Sequence, residues 1–121
     1  MAGRRVLIVH AAVVMRMIVK SMLVDNGFEV VGEAANGREA LEKYRSLLPD
    51  VVTMDMVMPE MDGIAAVKAI VSEFPQAKII MCTSTGQQPE VVEVIHAGAK
   101  SFVTKPFHMP KIIEAIEKVL A

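Results

Sequence analysis

The sequence predicts an α/β protein built on a doubly wound parallel sheet. Short apolar runs rich in β-branched residues alternate along the chain with stretches of helical period, which is the pattern of repeated βαβ units. Apolar residues make up 53% of the 121 residues and aromatic ones only 4%. The core must therefore consist of aliphatic side chains and methionine, which suits a sheet covered by helices on both faces. A chain of this length can bury one complete core without disulfides, so we expect a single domain.

Five strands are expected from the apolar runs. Because helices separate them along the chain, consecutive strands should be parallel and joined by right-handed crossovers. The predicted strands lie at Val6–Val9, Phe28–Val31, Val51–Met54, Ile79–Cys82 and Ser101–Thr104.

Five helices are expected between and after these strands, and Gly and Pro residues mark their ends. The predicted helices span Val13–Asn26, Gly37–Leu48, Ile64–Phe74, Pro89–Ala97 and Pro110–Leu120. Their apolar residues recur at helical spacing and should face the sheet. The inward sets are Val14, Ile18, Met22 and Leu23; Ala40, Leu41, Tyr44 and Leu47 or Leu48; Ile64, Val67, Ile70 and Val71; and Ile112, Ile113, Ile116, Val119 and Leu120.

Charge and composition argue against several classes of protein. The net charge of −1 gives no support for binding to nucleic acid or to a membrane surface. The first residues lack the long apolar region typical of a signal peptide, and no apolar run is long enough to span a bilayer. The single cysteine, Cys82, lies in a buried-strand pattern. We therefore expect a soluble cytoplasmic protein. The ten methionines can fill gaps in the core or form an adaptable surface for a partner.

Polar residues stand where four of the predicted strands end. His10 follows the first strand, Asp55 the third, Thr83 the fourth and Lys105 the fifth. In open parallel sheets the binding crevice lies beyond the carboxyl ends of the strands, at the switch in strand order. The four side chains should therefore converge on one crevice, although Asp55 considered alone could simply begin a turn before Pro59.

Two motifs identify a family. From Asp55 to Gly63 the chain reads DMVMPEMDG, directly after an apolar strand, and Lys105-Pro106-Phe107 directly follows another strand. With Thr83 between them, these motifs resemble the receiver domain of two-component response regulators over essentially the whole chain. The resemblance implies a flavodoxin-like fold with strand order 2-1-3-4-5 and a single receiver domain over residues 1–121, with no output domain.

The resemblance also assigns roles within the crevice. It implies that Asp55 is the phosphoacceptor, that Thr83 and Lys105 hold the phosphoryl group, and that the Val57 carbonyl is a metal ligand beside Asp55. Thr83 and Phe102 would form a switch that alters the surface of the fourth helix, fifth strand and fifth helix. That face would meet a downstream protein or a second copy in a weak dimer, and a histidine kinase would supply the phosphate. A signalling role of this kind, with chemotaxis as one setting, is not that of an enzyme.

One departure from the family concerns its metal site. The first strand of a receiver ends in two acids that hold Mg²⁺, but this chain has His10 and Ala11 there. Mg²⁺ needs oxygen ligands, usually carboxylates, so Mg²⁺ binding is expected to be weak or absent. His10 could be a neutral polar filler, could supply positive charge beside Asp55 when protonated, or could bind a softer metal such as Zn²⁺ with Asp55. Glu60 is a further loop acid, for which a solvated position is expected.

The sequence is compatible with two functions from different classes. One is a regulator that is phosphorylated on Asp55, with the Mg²⁺-dependent reaction impaired. The other is an atypical receiver that binds a partner without phosphorylation. A flavin enzyme of similar topology would need a phosphate-binding loop after the first strand, and the residues from His10 to Val13 include neither glycine nor a hydroxyl.

Overall fold

The protein forms a five-stranded parallel sheet, as the sequence predicts, and its strand order is the 2-1-3-4-5 that the family resemblance implies. A computed structural model describes residues 4–83, 88–104 and 109–121, without the side chains of 88–91 and 109. The fold is of the flavodoxin-like doubly wound type. Strands and helices alternate as β1 Arg5–Val9, α1 Val13–Asp25, β2 Glu29–Ala34, α2 Gly37–Leu47, β3 Val51–Asp55, α3 Gly63–Glu73, β4 Ile79–Thr83, α4 Gln88–Ala97, β5 Ser101–Thr104 and α5 Met109–Leu120.

Two hydrophobic clusters cover the two faces of the sheet. One joins the odd-numbered positions of β1, such as Leu7, to α2, α3 and α4, and the other joins the even-numbered positions, such as Ile8, to α1 and α5. Side chains of a strand point alternately to opposite faces, so each strand contributes residues to both clusters. β3 and β4 are buried at every residue, which is typical of central parallel strands covered on both sides. The carboxyl ends of these two strands are thereby held at one edge of the sheet.

Two helices that begin near this edge carry side-chain caps. Asn36 accepts a hydrogen bond from the Glu39 amide, and the Glu39 carboxylate accepts one from the Ala35 amide, which is close to a reciprocal capping box. At α3, the Asp62 carboxylate accepts a hydrogen bond of 2.9 Å from the Ala65 amide. Each cap satisfies a backbone donor that the first turn leaves open, so both helices have fixed starting points.

The predicted inward face of α1 is wrong at two positions. Met22 and Leu23 are buried as expected, but Val14 is 67% exposed and Ile18 44% exposed. Val19 is buried in their place, and Met15 packs partly against the same cluster. The first seven residues of α1 are all apolar except Arg16. Apolar residues therefore recur at helical spacing on two different faces of the helix. Packing against the sheet, which the sequence does not show, selected the face of Met15 and Val19.

The other predicted inward faces are confirmed. In α2, α3 and α5 every predicted residue is buried or packs partly against a core cluster, apart from one alternative. Between Leu47 and Leu48, Leu47 packs inward, while Leu48 is 55% exposed and adopts φ 45° as the C-cap of α2. β2 begins and ends later than predicted, since residues as far as Ala34 pair with β1. Its paired segment includes Gly32 and Glu33, whose types disfavour strands.

Other expectations about the chain's class have mixed outcomes. Cys82 is a buried core residue, as predicted. Met22, Met54, Met58 and Met81 are buried, which confirms gap filling for these four, whereas Met17 is 63% exposed. Among the helices within the described ranges, none combines the length and the apolar character that crossing a bilayer would require.

Candidate functional site

Buried polar side chains gather at the carboxyl edge of the sheet. In the part of the chain that the structure describes, the buried polar or charged residues are His10, Thr53, Asp55 and Thr83. Three of these stand at strand ends, His10 just beyond β1, Asp55 at the end of β3 and Thr83 at the end of β4. Burying polar groups is unfavourable unless they interact with one another or with a ligand. Their concentration at one edge therefore marks the crevice predicted from the sequence.

Asp55 is the central residue of this crevice. β3 lies between β1 and β4, and Asp55 pairs with Cys82 in the ladder. The ladder extends one residue further, because the Met56 amide donates to the Cys82 carbonyl at 3.1 Å. The carboxylate side chain is 12% exposed. Asp55 is thus held firmly by the backbone on one side while its side chain keeps some access to the crevice.

Gly63 brings the following loop back against Asp55. Its amide donates to the Met56 carbonyl at 2.9 Å. A Cβ atom at this position would lie only 2.3 Å from the Asp55 carbonyl oxygen. Only glycine allows so close a backbone approach. The DMVMPEMDG segment therefore ends in a tight return that starts α3 beside the strand end.

His10 lies next to Asp55 on the same face of the sheet. Its amide donates to the Ala34 carbonyl at 3.1 Å, which extends the β1–β2 pairing past the end of β1. The His10 side chain is fully buried, and its Nδ1 is 4.0 Å from the Asp55 Oδ2. That distance is too long for a hydrogen bond, and the two groups form an ion pair only when the imidazole is protonated. Ala11, by contrast, is exposed.

Arg16 holds the turn that carries His10, a role that sequence reasoning missed. Its Nη1 donates to the His10 carbonyl at 2.7 Å and to the Ala11 carbonyl at 3.3 Å. Its Nε donates to the Glu33 carboxylate on β2 at 3.2 Å. The chain gives no local signal for this contact, because Glu33 follows Arg16 by seventeen residues and becomes its neighbour only when β2 pairs with β1.

A second set of contacts ties the β3–α3 loop to the start of α2. The Asn36 side-chain amide donates to the Glu60 carboxylate at 2.9 Å, and the Gly37 amide donates to the Met61 carbonyl at 2.9 Å. Glu60 is exposed and adopts φ 64°, a conformation that is uncommon for a residue other than glycine. The expectation that Glu60 is solvated is confirmed, and its carboxylate also accepts the hydrogen bond from Asn36.

The remaining predicted site residues have different outcomes. Thr83 is fully buried and pairs with Thr104. Phe102 pairs with Met81, two positions before Thr83, and packs partly against the cluster that α4 covers. Val57 is 74% exposed. Lys105 lies outside the described residues.

The chain matches known proteins over nearly its whole length. Residues 6–117 match the family model described as the response regulator receiver domain. The chain is 56% identical to the chemotaxis protein CheY of Thermotoga maritima, over 97% of this chain and 98% of that protein. It is also 56% identical to the chemotaxis protein CheY of Bacillus subtilis, over 98% of each.

Solved structures agree with these relatives. The structure resembles the crystal structure of a CheX–CheY–BeF3–magnesium complex from Borrelia burgdorferi, with a TM-score of 0.93, 32% identity and coverage of 97% of this chain and 89% of that one. It also resembles the response regulator domain of Thermotoga maritima CheB, with a TM-score of 0.90, 35% identity and coverage of 96% and 95%. The fold, the acidic strand end and these relatives agree, and the chain belongs to the response regulator receiver family as a CheY-like member of two-component systems.

Proposed function

We propose that Asp55 is the phosphoacceptor of this receiver, and that the Mg²⁺-supported reaction is impaired. The observation that carries the proposal is the position of Asp55 at the end of a central buried strand, with Thr83 at the end of the neighbouring strand. Receiver domains of the CheY type are generally signalling modules and not enzymes. By family resemblance, Thr83 and Lys105 would hold the transferred group, and a histidine kinase would donate it.

The proposed chemistry is nucleophilic attack by a carboxylate. An Asp55 oxygen forms a bond to the phosphorus of the donor, while the bond from phosphorus to the leaving atom breaks and the leaving group takes the electron pair. The product is an acyl phosphate on Asp55. Transfer of this kind depends on positioning and on neutralising the phosphoryl oxygens. A buried hydroxyl at Thr83 is suited to donate a hydrogen bond to such an oxygen.

The residues around Asp55 do not fit Mg²⁺. Receiver domains normally bind this ion, which prefers near-octahedral oxygen ligands. At the two positions expected to carry acids, this chain places the buried imidazole of His10, which offers nitrogen, and the exposed methyl group of Ala11. Within residues 4–83, 88–104 and 109–121, no group of three or more His, Cys, Asp or Glu side chains could hold a metal ion. We therefore propose that a cation contributes little to the reaction of Asp55.

A second candidate function is a receiver that binds its partner without being phosphorylated. One specific observation favours it, namely that the fully buried ring of His10 already lies 4.0 Å from the Asp55 carboxylate. A side chain fixed there takes part of the space in which a phosphoryl group and its counterion would have to be accommodated. In this case the surface that partners recognise would be held in one state.

Treatment with a small phosphodonor such as acetyl phosphate, with and without Mg²⁺, tests the main proposal. We expect a slow gain of one phosphoryl group by intact mass, and we expect Mg²⁺ to accelerate it less than about tenfold, which corresponds to less than ~1.4 kcal/mol of transition-state stabilisation. Bacillus subtilis CheY, prepared alongside, is the comparison. An acceleration much greater than tenfold would contradict the impairment. A complete absence of mass gain would favour the second candidate.

The proposed partner surface is formed by α4, β5 and α5. In the Borrelia complex a CheY is assembled with CheX, and we propose that this protein, too, meets its downstream partner through this face. Val92 and Ile95 of α4 are 48% and 44% exposed. Two exposed lysines belong to the neighbouring elements, Lys100 directly before β5 and Lys111 in α5. Apolar side chains bordered by charges are typical of recognition surfaces.

Replacing Phe102 by alanine is expected to weaken partner binding more than it lowers stability. Phe102 lies on the edge strand β5 and is only partly buried. We therefore expect a loss of roughly 1–2 kcal/mol in the free energy of unfolding, less than the 3–5 kcal/mol of a fully buried phenylalanine. Affinity for a CheX protein, used as the probe partner, should fall at least about tenfold, as for an aromatic anchor.

Phe74 provides the matched control for this experiment. It is also an aromatic residue packed partly against the same cluster, but it follows α3 and contacts Tyr44 in a tilted arrangement, with ring centroids 4.9 Å apart. Phe74→Ala should lower the denaturation midpoint comparably and leave the affinity unchanged. If Phe102→Ala instead caused a large stability loss with unaltered affinity, Phe102 would be an ordinary core residue.

A further inference from the structure

The turn between β1 and α1 is held by a guanidinium group. In a receiver with two acids at this turn, a bound cation would connect it to the end of β3. Here Arg16 reaches back from the first turns of α1 and donates to the carbonyls of both His10 and Ala11. Hydrogen bonds from a charged donor are stronger than neutral ones, and the planar guanidinium can serve two acceptors at once.

The guanidinium group is itself fixed by Glu33. The Glu33 carboxylate accepts from the Arg16 Nε at 3.2 Å and lies 3.7 Å from the Lys20 ammonium, while Lys43 donates to the Glu33 backbone carbonyl. The Arg16 side chain is 15% exposed, so solvent screens this pair less than it screens an ordinary surface ion pair. Arg16 therefore links a fixed point on β2 to the two carbonyls of the turn.

We propose that Arg16 is a positioning residue that holds the His10 imidazole beside Asp55. The His10 backbone is held from two sides, since its amide donates to the Ala34 carbonyl and its carbonyl accepts from Arg16. With both backbone groups fixed, the direction of the Cα–Cβ bond is set, and the buried ring that it carries lies 4.0 Å from the Asp55 carboxylate. The consequence for phosphorylation rests on the proposed function, but the positioning itself can be tested without it.

Nuclear magnetic resonance at one fixed pH tests this role in Arg16→Ala. We expect a resolved shift of the His10 ring signals, while the signals of the exposed His96 stay in place. We also expect hydrogen exchange of the His10 amide to accelerate about tenfold or more, beyond any change at the core amide of Val52, which donates to the Lys78 carbonyl. A residue that only stabilised the fold would accelerate both amides together and leave the ring signals unchanged.

Arg45 supplies the matched control. It forms a bidentate pair with Glu73, with a shortest distance of 2.6 Å, but its side chain is 50% exposed and the pair joins α2 to α3. Arg45→Ala should leave the His10 signals and amide exchange unchanged. These readouts require neither a phosphodonor nor a metal, so a failure of the proposed function would not affect them.

Two milder variants keep the test decisive if Arg16→Ala does not fold. Arg16→Lys keeps the charge but loses the planar fork that serves the carbonyls and Glu33 together. Glu33→Gln removes the charge that fixes the guanidinium group. If Arg16→Ala folds, each milder variant should shift the His10 ring signals in the same direction as Arg16→Ala. If it does not fold, each should still shift these signals measurably from their positions in the unaltered protein. If the His10 signals in these variants coincide with those of the unaltered protein, the proposal is wrong.

Discussion

Replacing His10 and Ala11 together by aspartate is expected to give the protein a saturable Mg²⁺ site. The two new carboxylates would join Asp55 at the carboxyl edge of the sheet, and oxygen ligands with negative charge are those that Mg²⁺ prefers. Removal of the buried imidazole would also free space 4.0 Å from the Asp55 carboxylate. We expect the association constant to rise on the order of 100-fold, about 2.7 kcal/mol, as measured by isothermal titration calorimetry.

The two single variants separate the two causes. In Ala11→Asp the new acid stands at an exposed position, but the His10 ring still lies beside Asp55. In His10→Asp the ring is gone, but Ala11 contributes no ligand. Each should therefore bind Mg²⁺ more weakly than the double variant, and the two gains should not add simply, because the positions share one site.

A charge-matched control excludes a general electrostatic effect. His96→Asp combined with Ala121→Asp makes the same two substitutions by type at exposed positions, one on α4 and one directly after α5. This control should bind Mg²⁺ no better than the unaltered chain. Two results would contradict the explanation that the missing acids weaken Mg²⁺ binding. One is tight Mg²⁺ binding by the unaltered chain, and the other is a double variant at positions 10 and 11 that binds no better than the control.

Much of the fold could be predicted because each signal was local. The apolar runs of β3 and β4 are buried at every residue, and a continuous run of this kind has few alternatives in an alternating α/β pattern. Asp55 and Thr83 were placed in the crevice by topology alone, since parallel strands bring their carboxyl ends to one edge. The strand order itself followed from the resemblance and not from the physics of the residues.

The features that were missed depend on contacts between distant segments. α1 carries apolar residues on two faces, and only its docking on the sheet buries Val19 and leaves Val14 exposed. The contact of Arg16 with Glu33 forms only because β2 pairs beside β1. Neither could be read from spacing, because the deciding partner lies on another strand or helix.

Asp55→Asn is expected to abolish the mass gain produced by a phosphodonor. Asparagine keeps nearly the same shape at a position that is 8% exposed, but its amide is a far weaker nucleophile than a carboxylate, so no acyl phosphate can accumulate. The measurement is intact mass after treatment with acetyl phosphate. It is best made also in the His10→Asp, Ala11→Asp background with Mg²⁺, where we expect the gain to be largest. The loss should be complete within detection, because the variant lacks the anionic carboxylate that forms the bond to phosphorus.

Asp62→Asn is the control that distinguishes the acceptor from a neighbouring acid. Asp62 lies in the same loop, is exposed, and caps α3 through the Ala65 amide. Asparagine is an equally good N-cap, so this variant should fold normally and lose no mass gain. Peptide mapping of the labelled protein then locates the phosphoryl group. If the gain survives in Asp55→Asn and maps to Asp62 or Glu60, the assignment of Asp55 is wrong, because an acceptor that depends on a buried strand end cannot be exchanged for an exposed loop acid.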